Sequence, residues 1–504
     1  MKTRSSARGE PRRLGNVALL ALMLCSVVAL SLIRGRFAPI VTTAGDGIKS
    51  EEDDAAAVVS KAAAVGINAG GDEAAAEAAA AGEEKDKEDE SAAAAGVAQQ
   101  RAKDADGASA SASSKPVCYE TSRRSDTCEA SGDVRVVGGA QTVYVDTLDR
   151  EWKTKPYCRK HDSYALAHVK EWTLKPLESA AAGAPPRCTV NISATAFVLS
   201  TGGFTGNPFH DYTDVLIPAF ITAHPLRGEV QFLVSSYKSW WVSRYLPIFQ
   251  QLSRHEVVDV DADGAGEVRC YPRVVVGPTF HRELGVDASK TPPPGFSTSD
   301  FRAMLRGAFG LERATAAPSG DRWDIRRRPR LLIVSRRPSR GRAFTNERAM
   351  ADMASSLGFD VRVGDPEATS DTSKFARLVN SCDVMVGVHG AGLTSMVFLP
   401  AGAVVVQVVP YGRLEWLARS TFAEPAPGME VHYLEYAVQL DETTLSEQYP
   451  RDHPVLADPM AIHKQGWNAL KTTYLDKQNL HPHLGRLKNT FLKALSLLPH
   501  GRDD

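Results

Sequence analysis

Net charge is what this sequence most clearly lacks. Its 504 residues contain 59 Lys or Arg and 60 Asp or Glu, which leaves a formal net charge of −1 at pH 7. A protein dedicated to nucleic-acid binding carries a basic excess that neutralises phosphates. The charge balance therefore argues against that class of protein, and we expect no nucleic-acid partner.

Familiar metal-binding and hydrolytic signatures are missing as well. The chain contains no CxxC pair, no HExxH and no GxSxG, which removes the usual signs of a structural zinc site and of a hydrolase. The acidic run at residues 259–264 resembles a calcium loop, but Cys270 stands at the position that needs Glu. We interpret this run as a surface turn and expect no metal site.

Aromatic residues are absent from residues 38–114, where Ala runs alternate with Gly, Ser and mixed charges. A segment of this composition buries too little apolar surface to offset the entropy that it would lose on ordering. We therefore predict a low-complexity stem at residues 34–114.

Charged residues are absent from residues 14–33, which as a helix would span the roughly 30 Å core of a bilayer. Five Lys or Arg precede this run and two follow it closely, a bias that keeps the N-terminus in the cytosol. The pattern predicts a cytosolic tail at residues 1–13, a transmembrane signal anchor at residues 14–33, and a stem and body in the lumen. A cleaved signal peptide is the alternative interpretation.

Cysteine is scarce, and its distribution fits a luminal body. One of the seven cysteines, Cys25, lies in the predicted anchor, which leaves an even number where disulfides persist: Cys118, Cys128, Cys158, Cys188, Cys270 and Cys382. Six cysteines allow 15 connectivities, and spacing alone does not choose among them. The single sequon predicts a glycan on Asn191.

From residue 115 onward, short apolar runs alternate with helical patterns. Strands are predicted at residues 195–200, 229–235, 256–260, 273–277, 330–335, 360–364, 384–388 and 403–409, and helices at residues 239–253 and 345–357. Continuous apolar strands interleaved with helices are typical of parallel sheets that are covered on both faces. We predict an α/β protein with two Rossmann-like domains, at residues 115–310 and 325–504, that face one cleft.

A polar, glycine-rich stretch follows the first of these strands. Residues 200–214 read STGGFTGNPFHDYTD, so that glycines allow close backbone approach while His210, Asp211 and Asp214 offer a base and acceptors. The stretch does not match GxGxxG, which argues against a dinucleotide fingerprint. An ordinary strand-to-helix turn with a capping Asp and a hydrogen-bonded His would produce the same letters.

Two further stretches follow strands of the second half. Arg336, Arg337, Arg340 and Arg342 come after the strand at residues 330–335, and guanidinium groups at a strand end suit phosphate oxygens. His389 opens the run HGAG after the strand at residues 384–388, where helix amides would favour a diphosphate. The alternative interpretation of the arginines is a solvated basic loop. The alternative for His389 is a buried side chain that is hydrogen-bonded to the backbone.

Several of these stretches together resemble the plant members of glycosyltransferase family 61. They are KPYCRK at residues 155–160, STGGFTGNPFHDYTDVLIP at 200–218, SRRPSR and FTNE within 335–347, and CDVMVGVHGAGLTSMVFLP at 382–400, followed by QVVPYGRLEW and YLEY. The resemblance runs from about Cys118 to the C-terminus.

This resemblance implies a GT-B fold, an inverting mechanism and no obligatory metal. It also implies a single-pass type II Golgi membrane enzyme that uses a UDP-pentose donor and a xylan acceptor, with a complex of Golgi transferases as a further option. We expect transfer of 3-linked arabinofuranose. The alternatives are 2-linked xylose, a protein- or N-glycan-directed transferase, and a non-enzymatic scaffold.

The family patterns also assign residues. Those implied on the acceptor or phosphate side are Gly202, Gly203, Gly206 and Asn207, with His210 and Asp211 as the candidate bases. Those implied in nucleotide-sugar binding are Arg336, Arg340, Asn346, Glu347, His389, Gly390, Ala391, Gly392, Leu393 and Thr394. Ser395 replaces the usual Asn, and Cys158 replaces the usual Ala, which makes Cys158 the expected unpaired thiol.

Overall fold

The computed structural model describes residues 117–179, 185–264, 266–317, 328–366 and 371–499. The tail, anchor and stem predicted at residues 1–114 lie outside these ranges. Among the described residues, no helix combines the length and the apolar character needed to cross a bilayer.

The first sheet is mixed and, within the described ranges, has ten strands. They are β1 (Cys118–Ser122), β2 (Ser125–Val137), β3 (Thr142–Val145), β4 (Trp152–Thr154), β5 (Trp172–Pro176), β6 (Val190–Asn191), β7 (Thr195–Ser200), β8 (Val230–Ser235), β9 (Val258–Asp259) and β10 (Arg269–Val276). The main path runs β4-β5-β3-β2-β10-β7-β8-β9, with β1 beside β2 and β6 beside β10. β7 pairs parallel with β8 and β10, whereas β2 pairs antiparallel with β1, β3 and β10.

Helices that accompany this sheet are α1 (Ser163–Ala167), α2 (Pro208–His210), α3 (Ile217–Ala223), α4 (Ser239–Leu252) and α5 (Thr298–Phe309). A π-helical turn (Asp211–Leu216) joins α2 to α3. The Asn207 side chain caps α2 by accepting a hydrogen bond from the Phe209 amide, and Pro208 occupies the first helical position. Seven residues separate this start from the end of β7, so the glycine-rich turn lies between the strand and His210.

The second sheet is wholly parallel, in the order β12-β11-β13-β14-β15. Its strands are β11 (Arg330–Val334), β12 (Asp360–Gly364), β13 (Val384–Val388), β14 (Val404–Val409) and β15 (His432–Ala437). The later helices are α6 (Glu347–Ser356), α7 (Thr372–Asn380), α8 (Glu415–Ala418), α9 (Leu445–Gln448), α10 (Pro454–Ala457), α11 (Pro459–His463), α12 (Trp467–Leu470) and α13 (Leu484–Leu497), and the run Ala391–Phe398 forms a 3₁₀ helix.

The predicted strands and helices of the α/β pattern are confirmed. Strands β7, β12 and β13 have the predicted bounds, and α4 ends one residue early. Every residue of β7, β8 and β14 is buried, as expected for continuous apolar runs in covered parallel strands. Strands β1–β5 were not predicted; their pairings with one another are antiparallel except for the parallel pair β3–β5.

Two disulfides tie the first sheet together. Cys118 bonds to Cys128 between β1 and β2, and Cys188 bonds to Cys270 on β10. Cys158 is unpaired and buried, which confirms the expectation, and Cys382 is unpaired as well. The other five cysteines of the body therefore form two disulfides and leave Cys382 as a second free thiol.

The acidic run at residues 259–264 forms a turn, as predicted, but its carboxylates have internal partners. Asp261 accepts a hydrogen bond of 2.6 Å from the Ser236 amide, and Asp263 forms an ion pair of 2.9 Å with Arg269. The run therefore stabilises the loop between β9 and β10. Asn191, the predicted glycan site, is exposed at the end of β6.

A buried arginine links helix α5 to the second sheet. The Arg302 Nε donates to the Val397 carbonyl oxygen over 3.2 Å, and its two terminal nitrogens donate to the carbonyl oxygens of Leu399 and Met429. Only 3% of Arg302 is exposed, and burial lowers its pKa to about 10, so the side chain remains charged at neutral pH. It satisfies carbonyl groups at the end of the Ala391–Phe398 helix.

Replacing this arginine should destabilise the protein. Arg302→Met keeps a long side chain but leaves three buried carbonyls without donors, so we expect the free energy of unfolding to fall by about 3 kcal/mol in denaturant titrations. The control is Arg254→Met, because the Arg254 side chain is 72% exposed in its ion pair with Glu229. That control should cost less than about 1 kcal/mol. Equal losses in the two variants would contradict the assignment.

Candidate active site

The turn that follows β7 is shaped by two glycines. A Cβ on Gly202 would lie 2.1 Å from the His168 carbonyl oxygen, and one on Gly203 would lie 2.5 Å from the Tyr157 ring. Gly203 also has φ +57°, a conformation that side chains other than glycine rarely adopt. The Tyr157 hydroxyl accepts a 3.1 Å hydrogen bond from the Phe204 amide and so holds the turn from below.

His210 and Asp214 form a buried pair beneath this turn. The His210 Nδ1 lies 2.5 Å from Asp214 Oδ2, and both side chains are fully buried. Because they are four residues apart on the helical segment that begins at α2, the two side chains lie on one face. An ionised carboxylate only accepts, which places the proton on Nδ1 and leaves Nε2 with a lone pair. Within the described residues, this Nε2 is buried and has no hydrogen-bond partner.

The charge of Asp214 is balanced by residues that precede β5. Arg159 Nε lies 3.1 Å from both carboxylate oxygens, and the Tyr157 hydroxyl donates to Oδ2 over 2.9 Å. Burial alone would raise the pKa of Asp214, but Arg159 and His210 hold it well below its usual range. Burial lowers the pKa of His210 although Asp214 favours the charged ring, so the imidazole is neutral at neutral pH.

Asp211, the other candidate base, accepts hydrogen bonds from three donors. Its Oδ1 accepts hydrogen bonds from the Gly206 amide over 2.8 Å and from the Trp241 indole over 2.7 Å, and its Oδ2 accepts one from the Tyr245 hydroxyl over 2.9 Å. These contacts connect the glycine turn to α4. Burial raises the pKa of Asp211 to about 6, although the three hydrogen bonds favour the ionised form.

The turn after β13 positions His389 through hydrogen bonds to both its side chain and its backbone. The buried Gln407 on β14 donates from Nε2 to His389 Nδ1 over 2.7 Å, and its Oε1 accepts from the Tyr433 hydroxyl over 2.8 Å. The chain of donors makes Nδ1 an acceptor, so the neutral ring carries its proton on Nε2. Arg342 Nη1 donates to the His389 carbonyl oxygen over 3.0 Å.

The predicted HGAGLT run follows this histidine. Gly390 has φ +146°, and Gly392 lies against Val334 and Pro366, where a Cβ would be 3.4 to 3.5 Å from those side chains. The Thr394 hydroxyl is buried and, among the described residues, has no hydrogen-bond partner. Leu393 is buried as well and packs in the core. Small residues thus bring the backbone of Ala391–Phe398 close to the end of β11.

The predicted arginines take three different positions. Arg336 is partly buried and donates from Nε to the Gly341 carbonyl oxygen over 2.9 Å, whereas Arg340 is exposed. Arg342 is 1% exposed, and its guanidinium group reaches the His389 turn. Sequence reasoning placed Arg342 in the basic loop but assigned the phosphate role to Arg336 and Arg340.

Asn346 and Glu347 stand at the start of α6. The Asn346 Nδ2 donates to the Pro482 carbonyl oxygen over 2.9 Å, which ties the helix start to the segment before α13. Its Oδ1 is buried and has no partner within the described ranges. Glu347 is partly buried at the first helical position, where a negative charge is favourable.

Two phenylalanines bring the two turns together. The ring of Phe209 lies 5.7 Å from the His210 ring and 6.1 Å from Phe422, and Phe422 lies 5.8 Å from the His389 ring, all measured between centroids. His210 and His389 are therefore separated by two aromatic rings. The residues predicted from the two halves of the chain lie on either side of one apolar contact.

Comparison with known proteins decides the family. A sequence model of the glycosyltransferase 61 family matches residues 209–406. A beta-1,2-xylosyltransferase of Oryza sativa subsp. japonica is 38% identical over 401 residues, which cover 76% of this chain and 84% of the relative. This chain belongs to glycosyltransferase family 61. The family resemblance inferred from the motifs is thereby confirmed.

Two other relatives of this family 61 chain are named for different activities. An alpha-1,3-arabinosyltransferase of the same rice is 40% identical over 390 residues, or 76% of this chain. A xylan glycosyltransferase of Arabidopsis thaliana is 34% identical over 392 residues, which cover 75% of this chain and 78% of the relative. The aligned part spans 66% of the arabinosyltransferase, just under two thirds of its length.

Sequence reasoning on the family 61 chain missed three residues that hold the two histidines. Arg159 lies within the KPYCRK motif, so the resemblance contained it without giving it a role. Gln407 is the one polar residue in the apolar run at residues 403–409, and a buried amide in such a strand signals a partner. Tyr157 lies in the same motif and likewise received no role, because its contact with Asp214 joins residues 57 apart.

Asp211 should make the stability of this family 61 protein depend on pH. Its raised pKa means that the native state binds a proton more tightly than the unfolded chain, so its contribution to stability is lost as pH rises from about 4 to about 6. Asp211→Asn cannot titrate. Its unfolding free energy relative to wild type should therefore rise across this range in denaturant titrations at several pH values. A difference that is constant with pH would contradict the assignment.

Proposed function

We propose that this chain is a Golgi type II glycosyltransferase that transfers arabinofuranose, in a 3-linkage, from a UDP-sugar to the xylan backbone. The observation that carries the proposal is the buried His210–Asp214 pair beside the His389 turn. The names of the relatives supply the sugar classes, arabinose and xylose, and the acceptor, xylan. Transfer of 2-linked xylose is the alternative, and a protein- or N-glycan-directed reaction is a more distant one.

A GT-B arrangement is part of this proposal, with an acceptor domain at residues 115–310 and a donor domain at residues 325–504. The wholly parallel β11–β15 sheet supports the donor assignment, because open parallel sheets bind ligands at the carboxyl ends of their strands. The arginine loop follows β11 and the His389 turn follows β13, so both lie at that edge. The anchor predicted at residues 14–33 would hold the enzyme in the Golgi membrane, where other transferases could associate with it.

The donor is expected to bind with its diphosphate at the Gly390–Gly392 backbone. Amides at the start of the Ala391–Phe398 helix favour anionic groups, and Arg336 and Arg340 supply positive charge from the neighbouring strand end. The His389 Nε2–H is a further donor for the departing phosphate oxygen. The buried Asn346 Oδ1 is an acceptor for a nucleoside hydroxyl, with Glu347 beside it. We propose that these groups neutralise the leaving UDP without an obligatory divalent cation.

His210 is the better candidate for the base. Its Nε2 has a lone pair and no partner among the described residues, whereas both oxygens of Asp211 accept hydrogen bonds. In the proposed step, Nε2 removes the proton of a xylan hydroxyl whose oxygen attacks the anomeric carbon. The bond from that carbon to the UDP oxygen breaks on the opposite face, which inverts the configuration. Asp214 then stabilises the protonated ring.

Access to His210 requires a movement. The ring is fully buried, with Phe204 at 4.5 Å and Phe209 at 5.7 Å between centroids. Both phenylalanines belong to the segment that surrounds the glycine turn. A shift of this turn on acceptor binding is therefore included in the proposal.

The direct test uses the full chain, purified from a secretory host in detergent. It is incubated with xylohexaose and either UDP-arabinofuranose or UDP-xylose, and the product mass and linkage are determined. We expect a 3-linked arabinofuranosyl product, formed equally well in excess EDTA. A 2-linked xylosyl product would select the alternative. Transfer to an N-glycan or protein acceptor alone would overturn the xylan assignment, and no binding of UDP would favour a scaffold role.

The base is tested by substitution. His210→Asn should lower kcat about 100-fold or more because a general base contributes on this order. Activity of the wild type should fall at a pH below 6.5, since burial lowers the pKa of His210. The matched control is His224→Asn, an exposed histidine at the end of α3, which should retain normal turnover. A folded His210→Asn protein with a kcat within twofold of wild type would rule out this base.

A further inference from the structure

Few aromatic side chains in the described part of the chain face solvent. Within the described ranges, the exposed ones are Tyr119 at 37%, Tyr164 at 43% and Trp240 at 50%. Tyr and Trp combine a large apolar ring with a polar group, and both are enriched at binding surfaces. Two of these three rings touch the same short segment of the chain.

That segment is the glycine turn above His210. The Tyr164 ring stacks on Phe204, with centroids 5.3 Å apart and an angle of 10° between the planes. The Trp240 ring lies against Gly206, where an added Cβ would be 3.2 Å from its Cη2 atom. The two contacts are only two residues apart in the turn.

The rings are also connected to the candidate base. Phe204, on which Tyr164 stacks, lies 4.5 Å from the His210 ring between centroids. Trp240 precedes Trp241, whose indole donates to Asp211. Tyr164 and Trp240 thus stand at the surface end of the contacts that lead inward to His210 and Asp211.

We propose that Tyr164 and Trp240 form an acceptor platform that binds the xylan chain by stacking. This inference rests on the proposed function. A β-xylopyranosyl ring carries all its hydroxyl groups in the equatorial plane, so both ring faces present C–H groups. The faces of aromatic rings are electron-rich and attract such polarised C–H groups. The platform sets the register of the chain, so that one hydroxyl group meets His210 when the turn moves.

Two cationic side chains lie beside this surface. Arg244 lies over Trp240 at 5.5 Å from the ring centroid, and Lys238 Nζ donates to the Thr205 hydroxyl over 2.8 Å. Cationic groups that donate hydrogen bonds can bind sugar hydroxyls at the edge of a stacked ring. The platform therefore combines apolar faces with donors at their rim, the usual make-up of a carbohydrate-binding surface.

The test measures acceptor kinetics with xylo-oligosaccharides of two to six residues. In the wild type, KM should fall as the acceptor lengthens until both rings are covered. Tyr164→Ala and Trp240→Ala should each raise the KM for xylohexaose about tenfold, with kcat and the donor KM unchanged. The double variant should abolish the dependence on acceptor length. Tyr164→Phe and Trp240→Phe keep a ring and should restore most of the affinity.

Two controls separate the platform from general surface effects. Leu246→Ala removes an exposed apolar side chain from the same helix, α4, and Tyr119→Ala removes an exposed ring from β1. Both should leave the KM for xylohexaose within twofold of wild type. A double platform variant with a KM within the same twofold range would overturn the proposal, as would a larger effect on a protein acceptor than on xylohexaose.

Failure of the platform and failure of the proposed reaction can be distinguished. If the wild type transfers no pentose, xylohexaose is titrated directly and binding is followed by tryptophan fluorescence and by NMR of the sugar. Binding that is lost in the double variant would support the platform without the reaction. A wild type that does not bind xylohexaose would overturn the platform.

Discussion

The buried carboxylate of Asp214 is the interaction on which the first half of the site depends. It is a full negative charge without solvent, and it is tolerated because Arg159 supplies the opposite charge while Tyr157 and His210 donate hydrogen bonds. The same Tyr157 accepts from the amide of Phe204 and packs under Gly203. The position of one carboxylate therefore fixes the turn, the histidine and the segment before α1 together, and none of them can be replaced independently.

The second half of the site orients its histidine by a different principle. His389 is held by the amide of Gln407, which is held in turn by the hydroxyl of Tyr433. The two histidines consequently present opposite polarity at Nε2, with a lone pair on His210 and an N–H on His389. The two rings stand on either side of Phe209 and Phe422, and these opposite polarities are the ones that the proposed transfer between two substrates requires.

Prediction from sequence succeeded where a pattern is local and failed where a contact is distant. The runs TAFVLS and VMVGV predicted strands β7 and β13 with correct bounds, because a short continuous apolar run that ends at polar or glycine residues strongly favours a buried strand. The letters around His210 and His389 also marked the correct strand ends. No local pattern, however, distinguishes Asp211, which fastens the turn to α4, from Asp214, which orients His210. That distinction depends on Tyr245, Trp241 and Arg159, which lie 30 to 55 residues away.

Arg302 also affects anion binding at the other end of the helix that it contacts. Its guanidinium group covers carbonyl oxygens where the Ala391–Phe398 helix ends, while the first amides of that helix face the opposite way at Gly390. Aligned peptide dipoles place partial negative charge at the end that Arg302 touches. The arginine compensates this pole from inside the protein, so the positive pole at the helix start dominates the field of the helix. A residue of α5, outside the second sheet, thereby sets the electrostatic polarity that a negatively charged ligand would meet at the end of β13.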